Sequence, residues 1–317
     1  MKKDLRYAFS MIEIIFVIMV LGIVASIGSS IIAKVFDTYI SQKAISTSSI
    51  KTEIAAMQIA NRLGYAAPWT IVAKNPANPF NDFVCFIDYP ETADDIHTAF
   101  EWIGVDGDSF EAASTPGWSG YCDINKSDRS QCPTPGSGIN ISQAIINNLS
   151  GGGVNFTTAS FAGSKPAVFF KVGDYNNITK YHPSCIGLVA GSTGCAIRTY
   201  GIAGIDPKLT FANNDPKIRA EQYALSWSAY AIVPENYRDI NGDGTNDVYD
   251  LRLYYNYQPW EGERYTNGSS ALLLNNVSSF KLTQSDNTIR FKICVQQPIG
   301  SANITPITLC KEKAVIR

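Results

Sequence analysis

A run of twelve residues late in the chain carries oxygen ligands at the spacing that a calcium ion requires. Its sequence, DINGDGTNDVYD, extends from Asp239 to Asp250 and matches the calcium-loop pattern D-x-[DN]-x-[DN]-G, with an acid at the twelfth position. Calcium takes about six to eight oxygen ligands, and Gly244 allows the sharp turn that such a loop makes. The sequence therefore predicts a calcium ion with a structural role. The six predicted ligands are Asp239, Asn241, Asp243, Thr245 (through its carbonyl), Asp247 and Asp250.

The segments on either side of this loop are not predicted to be helices. Pro234 precedes the loop, and the run YDLRLYYNY that follows predicts a β-strand. The ion would then fix a surface loop between two strands and would not switch a helix pair. Asp250 stands where glutamate is usual, so we expect its shorter side chain to shift the ion or weaken binding. An Asp- and Asn-rich turn without an ion remains the alternative.

The sequence offers few other groups for catalysis. The only two histidines are His97 and His182, and a zinc site built from His182, Cys185 and Cys195 lacks a fourth ligand. A G-x-S-x-G nucleophile motif does not occur, and the glycines at 151–153 lack the lysine of a phosphate-binding loop. We therefore predict no catalytic residues and no enzymatic activity.

Composition and charge narrow the class of protein further. The chain has 317 residues, of which 45% are hydrophobic and 17% charged, and this balance predicts a folded protein with a real core. Its net charge is −2, so a nucleic-acid-binding surface is not predicted.

The cysteines predict an oxidising compartment. Six of the seven lie near one another in pairs along the chain, which favours short disulfide-closed loops over scattered core thiols. Spacing alone does not fix the connectivity, and Cys85 is left either as a buried thiol or in a different pairing. The three neighbouring pairs are Cys122 with Cys132, Cys185 with Cys195, and Cys294 with Cys310.

An apolar segment near the start of the chain predicts a membrane-spanning helix. Residues 14–32 contain no charge, and at the standard helical rise they would extend about 28 Å, enough to cross a bilayer core. Lys2, Lys3 and Arg6 precede this segment, which predicts a cytoplasmic start and an exported remainder. Glu13 lies at the beginning of the apolar run. An ionisable residue in such a place suggests a function by default.

The residues around Glu13 resemble the class III signal of type IV prepilins. The stretch Ala8-Phe9-Ser10-Met11-Ile12-Glu13 places a small residue, an aromatic residue and an acid where that family has them, with Ala8 in place of the usual glycine. The resemblance implies cleavage between Ala8 and Phe9 by a prepilin peptidase, and N-methylation of Phe9. It also implies that Glu13, the fifth residue of the mature chain, neutralises the terminal amine of a neighbouring subunit during assembly.

The fold expected from this resemblance is an α+β pilin fold, in which a long N-terminal helix packs on a C-terminal antiparallel sheet with a large insertion. Helical periodicity after residue 33 and a stop near Gly64 and Pro68 predict one helix of about 50 residues. The expected segments are a leader (1–8), the membrane or filament-core half of the helix (9–33), its amphipathic half (34–66), a variable head region (67–220) and a C-terminal sheet with the calcium loop (221–317).

Within the head, apolar alternation and turn residues predict individual elements. Two short helices are expected at 94–102 and 141–149. The expected strands include 166–172, 223–231, 248–257, 272–282, 288–295 and 304–316, with the later ones forming an antiparallel meander.

The functional expectation is a non-enzymatic subunit of a type IV pilus or a type II secretion pseudopilus. The size of the head favours a minor pilin at a priming or tip position, or a J-type minor pseudopilin. Its partners would be other pilin subunits, the prepilin peptidase and the bacterial inner membrane, with a single span and the head in the periplasm before assembly. The alternatives are the major pilin, or a filament-displayed adhesin or substrate-recognition head. The aromatic surface considered for recognition comprises Tyr249, Tyr254, Tyr255, Tyr257 and Trp260, although alternating aromatic residues in strands more often belong to a core.

Overall fold

A single α-helix, α1, extends over 54 residues from Met11 to Gly64. Ser10 caps its start by accepting a hydrogen bond from the backbone N–H of Glu13, and proline is missing throughout its length. The helix thus matches the predicted length and ends at the predicted glycine. The structure, a computed structural model, describes residues 10–67, 70–85, 96–112, 114–171, 181–212, 220–285, 288–297 and 306–316.

The two ends of α1 have different surroundings. None of residues 11–40 of the helix is buried by the described part of the chain, and Met11 is 84% exposed. Burial begins in the second half, on one face that follows helical spacing. The buried residues of that face are Ser48, Thr52, Ala55, Ala56, Ile59 and Leu63. The free part of the helix therefore extends several residues beyond the predicted division at 33.

An eight-stranded antiparallel sheet receives the buried face of α1, with strand order β13-β12-β11-β10-β9-β3-β1-β2. Ala55 and Ile59 of the helix join a core with Phe280, Phe291 and Ile293 from the meander β9 to β13. The C-terminal meander predicted from alternation is confirmed. The strands of this sheet are β1 (Val72–Lys74), β2 (Phe83–Cys85), β3 (Ala99–Gly104), β9 (Ser228–Arg238), β10 (Val248–Tyr255), β11 (Ser269–Ser285), β12 (Thr288–Gln297) and β13 (Ile307–Ile316).

A second, five-stranded sheet also lies in the head, in the order β4-β7-β6-β5-β8. It has its own aromatic core, which includes Trp118, Phe156, Phe170 and Tyr223. Two helices lie beside it, α2 (Gly107–Phe110) and α3 (Ile139–Leu149). The strands of this sheet are β4 (Gln131–Pro133), β5 (Ala167–Phe170), β6 (Ile197–Ile202), β7 (Lys208–Phe211) and β8 (Tyr223–Ser226).

The division of the head at residue 220 does not coincide with the division between the two sheets. β1, β2 and β3 come from the predicted variable region but belong to the large sheet, whereas β8 comes from the C-terminal region and belongs to the small one. The helix predicted at 94–102 is wrong, because Ala99–Gly104 is a strand. The architecture is nevertheless α+β, with a long N-terminal helix and antiparallel sheets.

Three disulfides fasten the head. Cys122 is bonded to Cys132, Cys185 to Cys195 and Cys294 to Cys310, which are the neighbouring pairs seen in the sequence. The last of these joins directly opposite residues of β12 and β13. Cys85 lies in β2 outside these three bonds, with its Sγ 3.8 Å from Nε2 of His182.

Candidate functional sites: the acidic hairpin loop and the N-terminal helix

The acidic loop connects the antiparallel strands β9 and β10 at one end of the large sheet. Asp239, Asp243 and Asp247 point toward one another there, and each offers a carboxylate oxygen within 4.8 Å of the others. The strands, not helices, hold the loop, as the flanking residues predicted. This convergence of three carboxylates is the main chemical feature of the loop.

Backbone hydrogen bonds shape the loop around Asp239. Its Oδ1 accepts from the N–H of Gly242 at 2.6 Å, and its Oδ2 accepts from the N–H of Gly244 at 2.8 Å. Gly242 and Gly244 have φ values of 79° and 89°, a left-handed conformation that favours glycine. The hydrogen bond from Gly244, followed by that from Gly242, lowers the pKa of Asp239, so this carboxylate is ionised at neutral pH.

Asp243 is held in a similar way by Thr245 and Asn241. The hydroxyl of Thr245 donates to its Oδ1, the N–H of Thr245 donates to the same oxygen at 2.8 Å, and the amide of Asn241 donates to Oδ2 at 3.1 Å. The hydroxyl hydrogen bond makes the largest contribution to a lowered pKa of Asp243. Two carboxylates with lowered pKa values thus lie side by side in this loop.

Asp247 supplies the third carboxylate. Its backbone N–H donates to the carbonyl of Arg238 at 2.9 Å, which closes the hairpin. Its Oδ2 is buried and has no hydrogen-bond partner among the described residues. A buried carboxylate oxygen without a partner is unfavourable, and a hard cation bound by all three acids would satisfy it. The donor set therefore fits a calcium ion.

Asp250 is directed elsewhere. It lies within β10, and its Oδ1 accepts from Nη2 of Arg238 at 2.8 Å while its Oδ2 accepts from Nδ2 of Asn236 at 3.2 Å. Arg238 is the first cause of a lowered pKa of Asp250. Because the strand begins at Val248, the carboxylate lies beside β9 and away from the loop. The structure does not bring the predicted closing ligand to the acidic cluster.

The N-terminal helix contains the second candidate site. Glu13 lies exposed in the first turn of α1, at the edge of an apolar segment that is long enough to cross a membrane. The predicted cleavage site between Ala8 and Phe9 lies outside the described residues, and so does the methylation site predicted at Phe9.

The structure bears on two sequence interpretations. The aromatic residues considered as a recognition surface are packed inside the head: Tyr257 and Trp260 are buried, and Tyr249, Tyr254 and Tyr255 are half-buried against the cores. The zinc site rejected in the sequence analysis would need the sulfurs of Cys185 and Cys195, and these two cysteines are bonded to each other in a disulfide.

A buried charged network escaped the sequence interpretation. Lys74 of β1 forms an ion pair with Glu101 of β3 and donates to the carbonyl of Leu188. The hydroxyl of Tyr257 donates to the other carboxylate oxygen of Glu101 at 2.7 Å, and burial raises the pKa of Tyr257. These residues are far apart along the chain, so no local pattern could have indicated the network.

Comparison of the chain with protein-family models, with curated proteins and with solved structures finds no match. What is established is an α+β protein in which a long apolar N-terminal helix, able by length and composition to cross a membrane, carries a disulfide-bonded, β-rich head.

Proposed function

We propose that this chain is a non-enzymatic structural subunit of a type IV pilus or of a type II secretion pseudopilus. The observation that carries this proposal is α1, one continuous helix whose first half is apolar and exposed while its second half packs on an antiparallel sheet. An exposed apolar helix is unfavourable in water. It requires a bilayer first, and in a filament it would be covered by the helices of neighbouring subunits.

Glu13 gives this packing a specific register. A carboxylate in an apolar surrounding is unfavourable, and so is an uncompensated terminal amine. Pairing the two across adjacent subunits removes both penalties only when the helices have the right axial offset. In this proposal a prepilin peptidase cleaves between Ala8 and Phe9, and Glu13 of one subunit then faces the amine of Phe9 in the next.

The head supports a minor subunit better than a major one. Two sheets and three disulfides make a head that is large relative to its single attachment helix. At a tip, such a head is free of lateral neighbours on several sides. Labelling the protein in purified filaments distinguishes the positions, because tip-only labelling supports a minor pilin and uniform decoration supports the major pilin.

Replacement of Glu13 tests the assembly role. Glu13→Ala and Glu13→Gln should insert into the membrane and keep a folded head, yet be depleted from sheared filament or pseudopilus fractions. Asp37→Asn is a matched control, because Asp37 is also an exposed acid on α1 but lies beyond the apolar segment. Incorporation of both Glu13 variants at the wild-type level would contradict the proposal.

We also propose that the hairpin loop binds calcium through Asp239, Asp243 and Asp247. An ion there would offset the repulsion among three adjacent carboxylates and fix the β9–β10 turn, so it should stabilise the folded head. The full chain in lipid nanodiscs should melt at a lower temperature in EDTA and recover when calcium is restored. An unchanged melting temperature, with no calcium found by metal analysis, would reject the site.

A further inference from the structure

Lys74 and Glu101 bring an amine and a carboxylate into contact inside the head. Their side chains are only 1% and 4% exposed. The ammonium group of Lys74 donates to Oε2 of Glu101 and to the carbonyl of Leu188, so the carboxyl carbon of Glu101 lies one bond beyond the first of these contacts. A buried ion pair loses the hydration of both charges, and this loss often cancels the attraction between them. An uncharged product formed from the two groups would remove that cost.

Neighbouring strands hold the two side chains on one face of the large sheet. In the pairing of β1 with β3, Val72 lies opposite Glu101. Lys74, two residues further along β1, is therefore a diagonal neighbour of Glu101, at a separation that long side chains bridge. Val72 and Ala99 on this face belong to a buried core, and the centre of the Phe80 ring lies 5.2 Å from the Lys74 nitrogen. Apolar groups thus keep bulk water away from both side chains.

Tyr257 supplies a hydrogen-bond donor at the other oxygen of the carboxylate. Its hydroxyl donates to Oε1 of Glu101 at 2.7 Å, and its side chain is buried. Burial raises the pKa of Tyr257, so the hydroxyl keeps its proton at neutral pH. A donor fixed at this oxygen stabilises the negative charge that develops there when a nucleophile adds to the carboxyl carbon. The three side chains therefore provide a nucleophile, an electrophile and a donor to the oxyanion.

We propose that Lys74 and Glu101 condense to form an intramolecular amide (isopeptide) bond between β1 and β3. A proton first passes from the ammonium group to Oε2, which leaves an uncharged amine and a carboxylic acid. Nζ then bonds to the carboxyl carbon Cδ, and Oε1 carries the negative charge beside the hydroxyl of Tyr257. The Cδ–Oε2 bond breaks, and the leaving hydroxyl takes a proton from Nζ. One water molecule is released, and no oxidant, reductant or other reactant takes part.

The amide product fits the hydrogen-bonding groups that surround it. Its N–H remains a donor for the carbonyl of Leu188, and its oxygen, the former Oε1, remains an acceptor for Tyr257. The two side chains no longer carry a buried charge. The bond would join residues 27 positions apart, so it would constrain the unfolded chain as a disulfide does. This inference goes beyond the assembly role and does not depend on it.

Peptide mass spectrometry of the full chain, purified from membranes, tests the proposal. After reduction and alkylation of the cysteines, trypsin should fail to cleave after Lys74. Residues 63–126, which contain no other lysine or arginine before Lys126, should then appear as one peptide that is lighter by one water molecule. Further digestion with chymotrypsin should release a branched peptide that joins Lys74 to Glu101, and fragmentation locates the bond.

Glu53 and Lys313 provide a matched control in the same digest. They also form an ion pair between a lysine and a glutamate, but their side chains are 35% and 33% exposed, so water reaches both. Trypsin should cleave after Lys313, and the peptides that contain these two residues should have unmodified masses.

Two variants separate the chemistry from the packing. Lys74→Arg keeps the positive charge but replaces the amine with a guanidinium group, which is not a nucleophile, so residues 63–126 should lose no water. Tyr257→Phe keeps the ring and removes the donor to Glu101. Condensation after synthesis, followed as the fraction of uncleaved peptide over time, should therefore be slower by about 100-fold.

The wild-type digest decides the main point whether or not the variants fold. Separate, unmodified peptides 63–74 and 75–126 from the wild-type chain would overturn the proposal. Loss of water that persists in Lys74→Arg would also overturn it, because the bond would then lie elsewhere. Condensation of Tyr257→Phe at the wild-type rate would overturn the role of the Tyr257 hydroxyl.

Discussion

The carboxylate of Glu53 on α1 lies 2.5 Å from the ammonium group of Lys313 on β13, 260 residues away in the chain. Lys311, two residues earlier on the same strand, is 3.7 Å from the other carboxylate oxygen. These contacts lie beside the apolar face where the helix meets the sheet. They join the packed half of α1 to the last strand of the meander.

Replacement of Glu53 tests this attachment. The hydrogen bond from Lys313 is the largest cause of a lowered pKa of Glu53. A carboxylate whose pKa is lower in the folded state stabilises the protein above its unfolded pKa, and this contribution is lost as the pH falls through the folded value. Glu53→Gln should therefore lower the melting temperature slightly at pH 7. Between neutral and acid pH, its melting temperature should fall less than that of the wild type. Equal pH profiles for Glu53→Gln and the wild type would contradict this.

Asp106 should give the opposite pH dependence. Burial raises its pKa from 3.8 to about 6. Its contribution to stability is therefore fully favourable below the unfolded pKa and is lost as the pH rises through about 6, a change of about 3 kcal/mol for such a shift. Asp106→Asn lacks this titration and keeps an oxygen to accept from the N–H of Ser109.

Denaturant unfolding at pH 4 and pH 7.5 measures the effect of Asp106. The stability of Asp106→Asn relative to the wild type should be higher at pH 7.5 than at pH 4. A relative stability independent of pH would show that Asp106 titrates normally.

The disulfide between Cys294 and Cys310 should be important for stability. It closes a loop with a sequence separation of 16 residues and joins β12 to β13, which is an edge strand among the described residues. Removal of a disulfide with a loop of this size costs about 3 kcal/mol. The variant Cys294→Ser/Cys310→Ser should unfold at a clearly lower denaturant concentration. Stability equal to that of the wild type under oxidising conditions would contradict a structural role.

Variants of two aspartates test which acids bind calcium: Asp247 belongs to the acidic cluster, and Asp250 lies at the twelfth position of the loop. Asp247→Asn should abolish the effect of EDTA on melting, because Asp247 carries the buried carboxylate oxygen that has no described partner. Asp250→Asn should keep calcium binding and lose stability instead, because it weakens the pair with Arg238. Loss of calcium binding in Asp250→Asn with retention in Asp247→Asn would reverse this assignment of ligands.

The sequence predicted those parts of the fold that depend on local pattern. The long helix followed from apolar and amphipathic runs without proline, and the meander followed from alternation along single strands. β3 could not be recognised in this way, because every residue from Ala99 to Gly104 is buried and no alternation remains. The five-stranded sheet depends on a strand order that does not follow the chain.

For the acidic loop, too, the sequence pattern predicted the segment but not the contacts of each residue. Spacing indicated the oxygen-rich segment, but it could not show that Asp250 would pair with Arg238 across the hairpin. The sequence held a recognition surface at Tyr257 and Trp260 as the less favoured alternative to core packing, and both side chains are buried.

The assignment to a prepilin-like filament subunit is tested most directly at its N-terminus. The protein should be purified from membranes in which a prepilin peptidase is active, and its N-terminal peptide analysed by mass spectrometry. Our account predicts a mature chain that begins at Phe9 and carries one methyl group on its terminal nitrogen, with the apolar helix retained. A chain that keeps residues 1–8, or one cut beyond the apolar segment as in ordinary secretion, would contradict it.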